Sequence, residues 1–192
     1  VYRTGPGPNA FQNGGPIVEG GPCTISQSVA APGFYDLKAI PSGYGSNDYF
    51  YPWMQRGIGW VQVPKDTPDG TIVLTGGVNG CTIVVTEHRS SYFFYHDGDS
   101  RYLYPGMMTG NEIARIEPKD YDPLGWGEKM FTRTIAEAGQ RGMAIAGDIS
   151  YGHFVVAVKK EGRFGMYATG VMSFNGLTKL PVGLSTCIVT FA

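Results

Sequence analysis

The chain has 192 residues, the length of one domain with a substantial core, and a formal net charge of -1. That balance leaves no basic surplus for a phosphate backbone, which argues against a nucleic-acid partner, and no apolar run reaches the about 18 residues of a membrane span. Charged residues make up only 16%, against 29 glycines and 13 prolines, a composition of strands and ordered loops rather than of helical bundles.

Residues 1–22 are rich in glycine and proline and read as an extended or loosely ordered arm. IGWVQV (58–63) alternates apolar and polar residues as a half-buried strand does. After the turn segment PKDTPDG come TIVLT (71–75), the glycine-rich link GGVNG (76–80), CTIVVT (81–86), a polar break EHRS, and SYFFYH (91–96). The last two runs predict a hairpin. Thr109–Ile116 is read as a short helix. Gly127–Arg141 is the convincing one, with Phe131, Ile135 and Ala138 on one stripe and a glycine stop. HFVVAVK (153–159) and RFGMYAT (163–169) flank the turn KEG as a second hairpin, and STCIVTFA (185–192) closes the chain as a strand. The expected fold is a single α+β domain over 1–192, a β-sandwich core of mixed sheets flanked by helices and long loops.

Cys23, Cys81 and Cys187 form an odd set with no paired spacing, so neither a disulfide framework nor a zinc site is expected, and free thiols point to a reducing working compartment. No cofactor is expected. The hairpin carries the chemistry. A four-residue loop Glu87–Ser90 sets Thr86 opposite Ser91 and Cys81 opposite His96, with β-carbons about 4.5–5.5 Å apart. An imidazole at that distance can activate a thiol to attack an amide carbonyl and then protonate the departing amine. Backbone N–H groups of the glycine link, with Asn79, Gly80 and the amide of Cys81, are the expected oxyanion donors. Asp48 in GSNDYF is the carboxylate expected to orient His96. Against this stands the ordinary role of a strand cysteine as a small buried hydrophobe. His88 reads as solvated turn surface, and the run Tyr92–Tyr95 as core packing.

GCT at Gly80–Thr82, followed fifteen positions after Cys81 by the histidine of FYHDG, resembles the catalytic domain of the cytotoxic necrotizing factors. These bacterial toxins, with the related Burkholderia lethal factor, share a Cys-His glutamine deamidase fold. Where that family reads Leu-Ser-Gly-Cys, this chain has Val78-Asn79-Gly80-Cys81 and keeps the glycine. The resemblance implies Cys81 as nucleophile, His96 as general base and acid, and a third element, a backbone carbonyl, near Asp48. It further implies a toxin or effector secreted or delivered by a bacterium and acting in the host cytosol. Its substrate would be a host protein, with a Rho-family GTPase suggested, and it would work as a monomer. Loop 41–57, with Tyr44, Tyr49, Tyr51, Trp53 and Arg56, offers the aromatic and Arg anchors of a partner interface or of ordinary loop packing.

Three other readings compete. Cys23 in GGPCTISQS with His153 in YGHFVVAV resembles a papain-type cysteine peptidase, although RFGMYATG carries no Asn or Asp partner. The opening VYRTGPGPNAFQNGG, with Arg3, resembles the first strand of the pertussis and cholera toxin ADP-ribosyltransferases, but the chain has no Glu-x-Glu or Gln-x-Glu pair. A non-enzymatic β-sandwich binding module predicts Cys81 buried and not touching His96.

Overall fold

Alternation at Ile58–Pro64 and the continuous apolar runs after it become neighbouring strands of one sheet in a two-sheet sandwich. The structure, a computed structural model, describes residues 2–6, 17–31, 34–41, 47–123, 125–142, 149–174 and 178–192. Its strands in chain order are β1 (Tyr2–Pro6), β2 (Ile17–Glu19), β3 (Gly21–Ala31), β4 (Phe34–Pro41), β5 (Asp48–Phe50), β6 (Ile58–Pro64) and β7 (Ile72–Gly77). There follow β8 (Thr82–His88), β9 (Ser91–Asp97), β10 (Asn111–Ile116), β11 (Ile149–Lys160), β12 (Arg163–Phe174) and β13 (Thr178–Phe191). Helix α1 spans Pro118–Tyr121 and α2 spans Trp126–Gln140.

The larger sheet runs β1-β4-β3-β5-β7-β11-β12-β13 and the smaller β10-β8-β9-β6-β2. Both are mixed: β1/β4, β5/β7 and β2/β6 pair in parallel and the other neighbours antiparallel. The core lies between them. Val61, Ile83, Val85, Tyr92 and Phe94 from the smaller sheet meet Val73, Val155, Ala157, Phe164 and Met166 from the larger. The intervening residues of the smaller sheet, Ile58, Val84, Phe93 and Tyr95, form a second apolar layer on its other face, under Tyr102, Leu103, Met107 and Met108. Central strands buried on both sides explain why CTIVVT and SYFFYH read as unbroken apolar runs.

Two expectations change. Thr109–Ile116 is not a helix: Asn111–Ile116 is the edge strand β10, paired with β8 through a bulge between Glu112 and Ala114. The bulge breaks the alternation, leaving Ala114 and Ile116 buried and the strand helix-like in pattern. The arm 1–22 supplies β1, β2 and the start of β3, while residues 7–16 lie outside the described residues. No described helix is long and apolar enough to cross a membrane.

Candidate active site

The chain leaves the larger sheet at Gly77 and enters the smaller at Thr82. It crosses in a tight turn: the Cys81 N–H donates to the Val78 carbonyl at 2.8 Å, and Gly80 holds φ 74 at the third position. That left-handed conformation costs a side-chain-bearing residue about 1–2 kcal/mol, so the glycine before the cysteine has a physical cause. Asn79 fastens the turn to β11, its Nδ2 donating to the Tyr151 carbonyl at 2.9 Å and its Oδ1 accepting from the His153 N–H at 2.7 Å. The Tyr121 hydroxyl reaches the carbonyls of Val78 and Cys81 from the other side. Cys81 is therefore presented between the layers, 1% exposed.

The hairpin register differs from the expected one by two residues. The loop is Arg89–Ser90, with Arg89 at φ 52, so His88 faces Ser91 and it is Ile83, not Cys81, that lies directly opposite His96. A two-residue slip preserves the face. Cys81 and His96 are then diagonal neighbours on the side turned to the larger sheet, a relation in which α-carbons stand about 7–8 Å apart, and no hydrogen bond joins the sulfur to the ring. His96 is fully buried. Its Nδ1 is 2.7 Å from the Thr75 hydroxyl of β7, a bond that joins the two sheets, and its ring stands edge-on to Tyr51 at 6.4 Å. Nε2 has no hydrogen-bond partner among the described residues. Burial lowers the imidazole pKa to about 3, so the ring is neutral.

Asp48 therefore does not orient His96. Both ring nitrogens are accounted for without it, and its Oδ1 accepts the Ile72 N–H at 2.8 Å at the opposite end of β7. Thr75 holds the imidazole instead. The residue types on β7 carry a faint signal for this, since Thr75 shares the inward face with Val73. The expected oxyanion donors are partly committed to other bonds. The amides of Val78 and Cys81 are spent on the His153 and Val78 carbonyls, and the side chain of Asn79 is spent on β11. Gly80 shapes the turn.

The sulfur meets other groups. Its own proton points to the Asn79 carbonyl at 3.7 Å. Burial pushes the thiol pKa up and the carboxylates of Asp99 and Asp97 add to it, against a lowering from the Asp99 backbone and the Trp53 side chain. Asp99 and Ser100 both adopt positive φ, 56 and 55, in a turn tied on every side. Asp97 Oδ1 accepts from the amides of Arg101 and Tyr102, and Ser100 Oγ donates to the Gly80 carbonyl at 2.9 Å and lies 2.7 Å from Thr82 Oγ1. Gly98 sits where a β-carbon would come within 2.5 Å of the Met54 carbonyl. Nothing in the spacing of DGDSR foretells this contact, because the turn folds back on the cysteine from another strand.

The remaining expectations sort as follows. Tyr51 is buried and serves the core, Trp53 is 48% exposed, and Tyr44 lies outside the described residues. Cys23 and His153 are not a pair. Cys23 is in register with Asp48, the next residue Tyr49 with Val73, and the neighbouring Ile72 with Val158, which puts His153 three strands across and about five residues along, about 14 Å by about 16 Å. Cys23 packs with Leu37, Phe50, Leu74 and Val156, burial and Asp48 push its thiol up to about 12, and His153 lies against Tyr121 and Tyr151 with Asp122 at 3.9 Å. Arg3 lies on β1, and its side chain is outside the described residues. All three cysteines are free, and no group of metal-ligating side chains occurs among the described residues.

Residues 55–123 match the family described as the Mcf1 activator-binding domain. The match covers 69 of the 192 residues, from the approach to β6 to just past α1, and includes Cys81, His96 and the Asp97–Ser100 turn. That family is distinct from the cytotoxic necrotizing factors, and its description names no reaction. Comparison with curated proteins gives no match.

Proposed function

We propose that this domain hydrolyses the side-chain amide of a glutamine in a protein substrate, with Cys81 as nucleophile and His96 as base and acid. One observation carries the reading: a fully buried imidazole nitrogen without a partner among the described residues, on the same sheet face as a diagonal thiol. A buried unpaired nitrogen costs about 1–3 kcal/mol and calls for a reason to be kept. With its proton on Nδ1, bonded to Thr75, the ring turns the Nε2 lone pair toward chemistry. Because the imidazole is neutral and the thiol protonated at rest, the proton moves as attack occurs rather than in a standing ion pair.

In the first half-reaction the sulfur adds to the amide carbon, its proton passes to His96, and the C=O electrons collect on oxygen. Collapse expels the amine, which takes that proton and leaves as ammonia, with a thioester on Cys81. Water, deprotonated by His96, then adds to the thioester carbon, and expulsion of the sulfur returns the thiol and a glutamate. The resemblance at GCT and FYHDG points to a Rho-family GTPase as substrate and to a bacterial effector reaching the host cytosol.

The test is ammonia release from candidate GTPases, with intact mass reporting a gain of about one dalton as amide becomes acid. Cys81→Ser is expected to fold and lose all release, and Cys23→Ser to keep it. Release that survives in Cys81→Ser ends the proposal.

A second reading is favoured by the family match: a module that binds a protein activator. Supporting it, an apolar groove of about 190 Å³ opens on the other face of the smaller sheet, lined by Ile17, Ile58, Trp60, Tyr95, Leu103 and Met107. Weaker partner capture by Leu103→Glu would support this reading, and unaltered capture would count against it.

A further inference from the structure

We propose that the Asn79–Gly80 peptide is the switch of the Cys81 site: at rest it turns its carbonyl to the sulfur, and rotated by half a turn it presents the Gly80 N–H to the negative charge that attack creates. The inference rests on the thiol chemistry proposed above and adds its regulation.

The turn type fixes the direction of that peptide. Cys81 N–H donates to the Val78 carbonyl at 2.8 Å, Gly80 holds φ 74 and Asn79 stays at negative φ, which together define a type II turn. The thiol points to the Asn79 carbonyl at 3.7 Å. In a trans peptide the N–H lies opposite the C=O, so the Gly80 N–H faces away from the sulfur. The Gly80 backbone instead lowers the pKa of the Tyr121 hydroxyl, against the burial and the Cys81 sulfur that raise it, as an N–H near a phenol oxygen does. A carbonyl oxygen held at the sulfur disfavours a thiolate, and it disfavours an oxyanion on the carbon that the sulfur attacks.

The neighbouring peptides of the turn are tied and this one is not. The amide of Cys81 is spent on Val78, and that of Val78 on the His153 carbonyl at 2.8 Å. The Asn79 N–H shares its peptide with the Val78 carbonyl, which Cys81 N–H and the Tyr121 hydroxyl both hold, so it is not re-aimed without breaking both bonds. On the other side the Gly80 carbonyl accepts from Ser100 Oγ at 2.9 Å, and the Asn79 side chain is fastened to β11. Between these held points the middle peptide rotates as a unit. Its half-turn converts type II to type I, changing ψ of Asn79 by about 150° and φ of Gly80 by about 170° while the Cys81–Val78 bond stays. Glycine takes both states, since it occupies positive and negative φ alike. The fully buried His96 Nε2 is an independent mark of a site not assembled at rest: it has no partner among the described residues and lies on the face that carries Cys81.

The experiment shifts the balance of the two states at residue 80 and reads the sulfur. A side chain there meets nothing within 4 Å, so Gly80→Ala acts through φ and disfavours the resting turn. Gly80→Asn, better tolerated at positive φ, disfavours it less. Cys81 is titrated in protein carrying ¹³C at the cysteine β-carbons, from about pH 7 to about pH 11, with circular dichroism marking the range in which the fold persists. Gly80→Ala is expected to lower the Cys81 midpoint by about one pH unit, a tenfold gain of thiolate at fixed pH, and Gly80→Asn to lower it by less, while the Cys23 signal behaves as in the native protein. A crystal structure of Gly80→Ala is expected to show negative φ at residue 80 and the Asn79 carbonyl turned from the sulfur. An unmoved or raised Cys81 midpoint in Gly80→Ala overturns the proposal, as does an equal shift at Cys23 or an Asn79 carbonyl still on the sulfur. Should alanine prevent folding, the direction of the shift in Gly80→Asn decides. No substrate is involved, so failure of the switch is separable from failure of the deamidase reading, which ammonia release decides by itself.

Discussion

His96 and Cys81 are each in the protonation state that burial dictates, and this decides how the thiol behaves at rest. An exposed Cys-His ion pair alkylates readily below the ordinary thiol pKa; here the imidazole pKa is about 3 and the thiol's is raised, so no such pair stands ready. Iodoacetamide at neutral pH is therefore expected to label exposed Cys187 first and to leave Cys81 and Cys23 largely unmodified, as read by peptide mapping. Rapid neutral labelling of Cys81 would show that the resting site is open. Thr75 is the second residue-scale lever. Thr75→Val leaves both nitrogens of a buried imidazole unpaired and is expected to cost about 1–3 kcal/mol in denaturant unfolding, whereas Thr75→Ser keeps most of that stability. Equal stability of the two variants would mean that the bond between the sheets contributes nothing.

At the scale of elements, the turn before β8 and the loop after it govern what the hairpin presents. Gly80 and Gly98 both resist a side chain, for different reasons. An alanine at Gly80 meets open space and is opposed only by φ 74, so the expected loss is at most about 1–2 kcal/mol. At Gly98 the new carbon runs into the Met54 and Gly57 carbonyls, and a larger loss is expected, with displacement of the Asp97–Ser100 turn. Urea unfolding midpoints rank the two; the reverse order would place the strain in the wrong turn. The register was only half readable from residue types. Alternation and the EHRS break located the hairpin and the correct face of Cys81 and His96. The two-residue slip depends on Arg89 adopting a left-handed conformation, a choice made among several polar residues of similar turn preference. The bulge in β10 hid a strand behind a helical spacing in the same way, since one extra residue rephases every side chain after it.

For the whole molecule, the buried titratable groups predict stability against pH from both sides. His96 and His153 have folded pKa values below the unfolded value, so the unfolded chain binds more protons as pH falls. Stability is thus unaffected above about 6.5 and drops between there and about 3 at up to about 1.4 kcal/mol per pH unit for a single site. Cys23 and Cys81 have folded values above the unfolded one, so stability also falls as pH rises past about 9. Calorimetry is expected to give the highest Tm between about pH 7 and about pH 8.5 and a flattened acid limb in His96→Gln. An acid limb identical in that variant would mean that His96 is not buried neutral in solution.

Residue order alone determined the things that depend on near neighbours. These are a β-rich α+β domain, the α2 helix (although Ile135 of its expected apolar stripe is exposed), both hairpins, and a thiol and an imidazole brought to one sheet by a short loop. It could not determine which groups serve that pair. Thr75, Ser100 and Tyr121 reach the site from separate strands and turns, and Asp48 was led away to the far end of β7. Hydrogen bonds in a low-dielectric interior are assigned by which donors the packed sheets leave uncommitted, and that accounting closes only when both layers are in place.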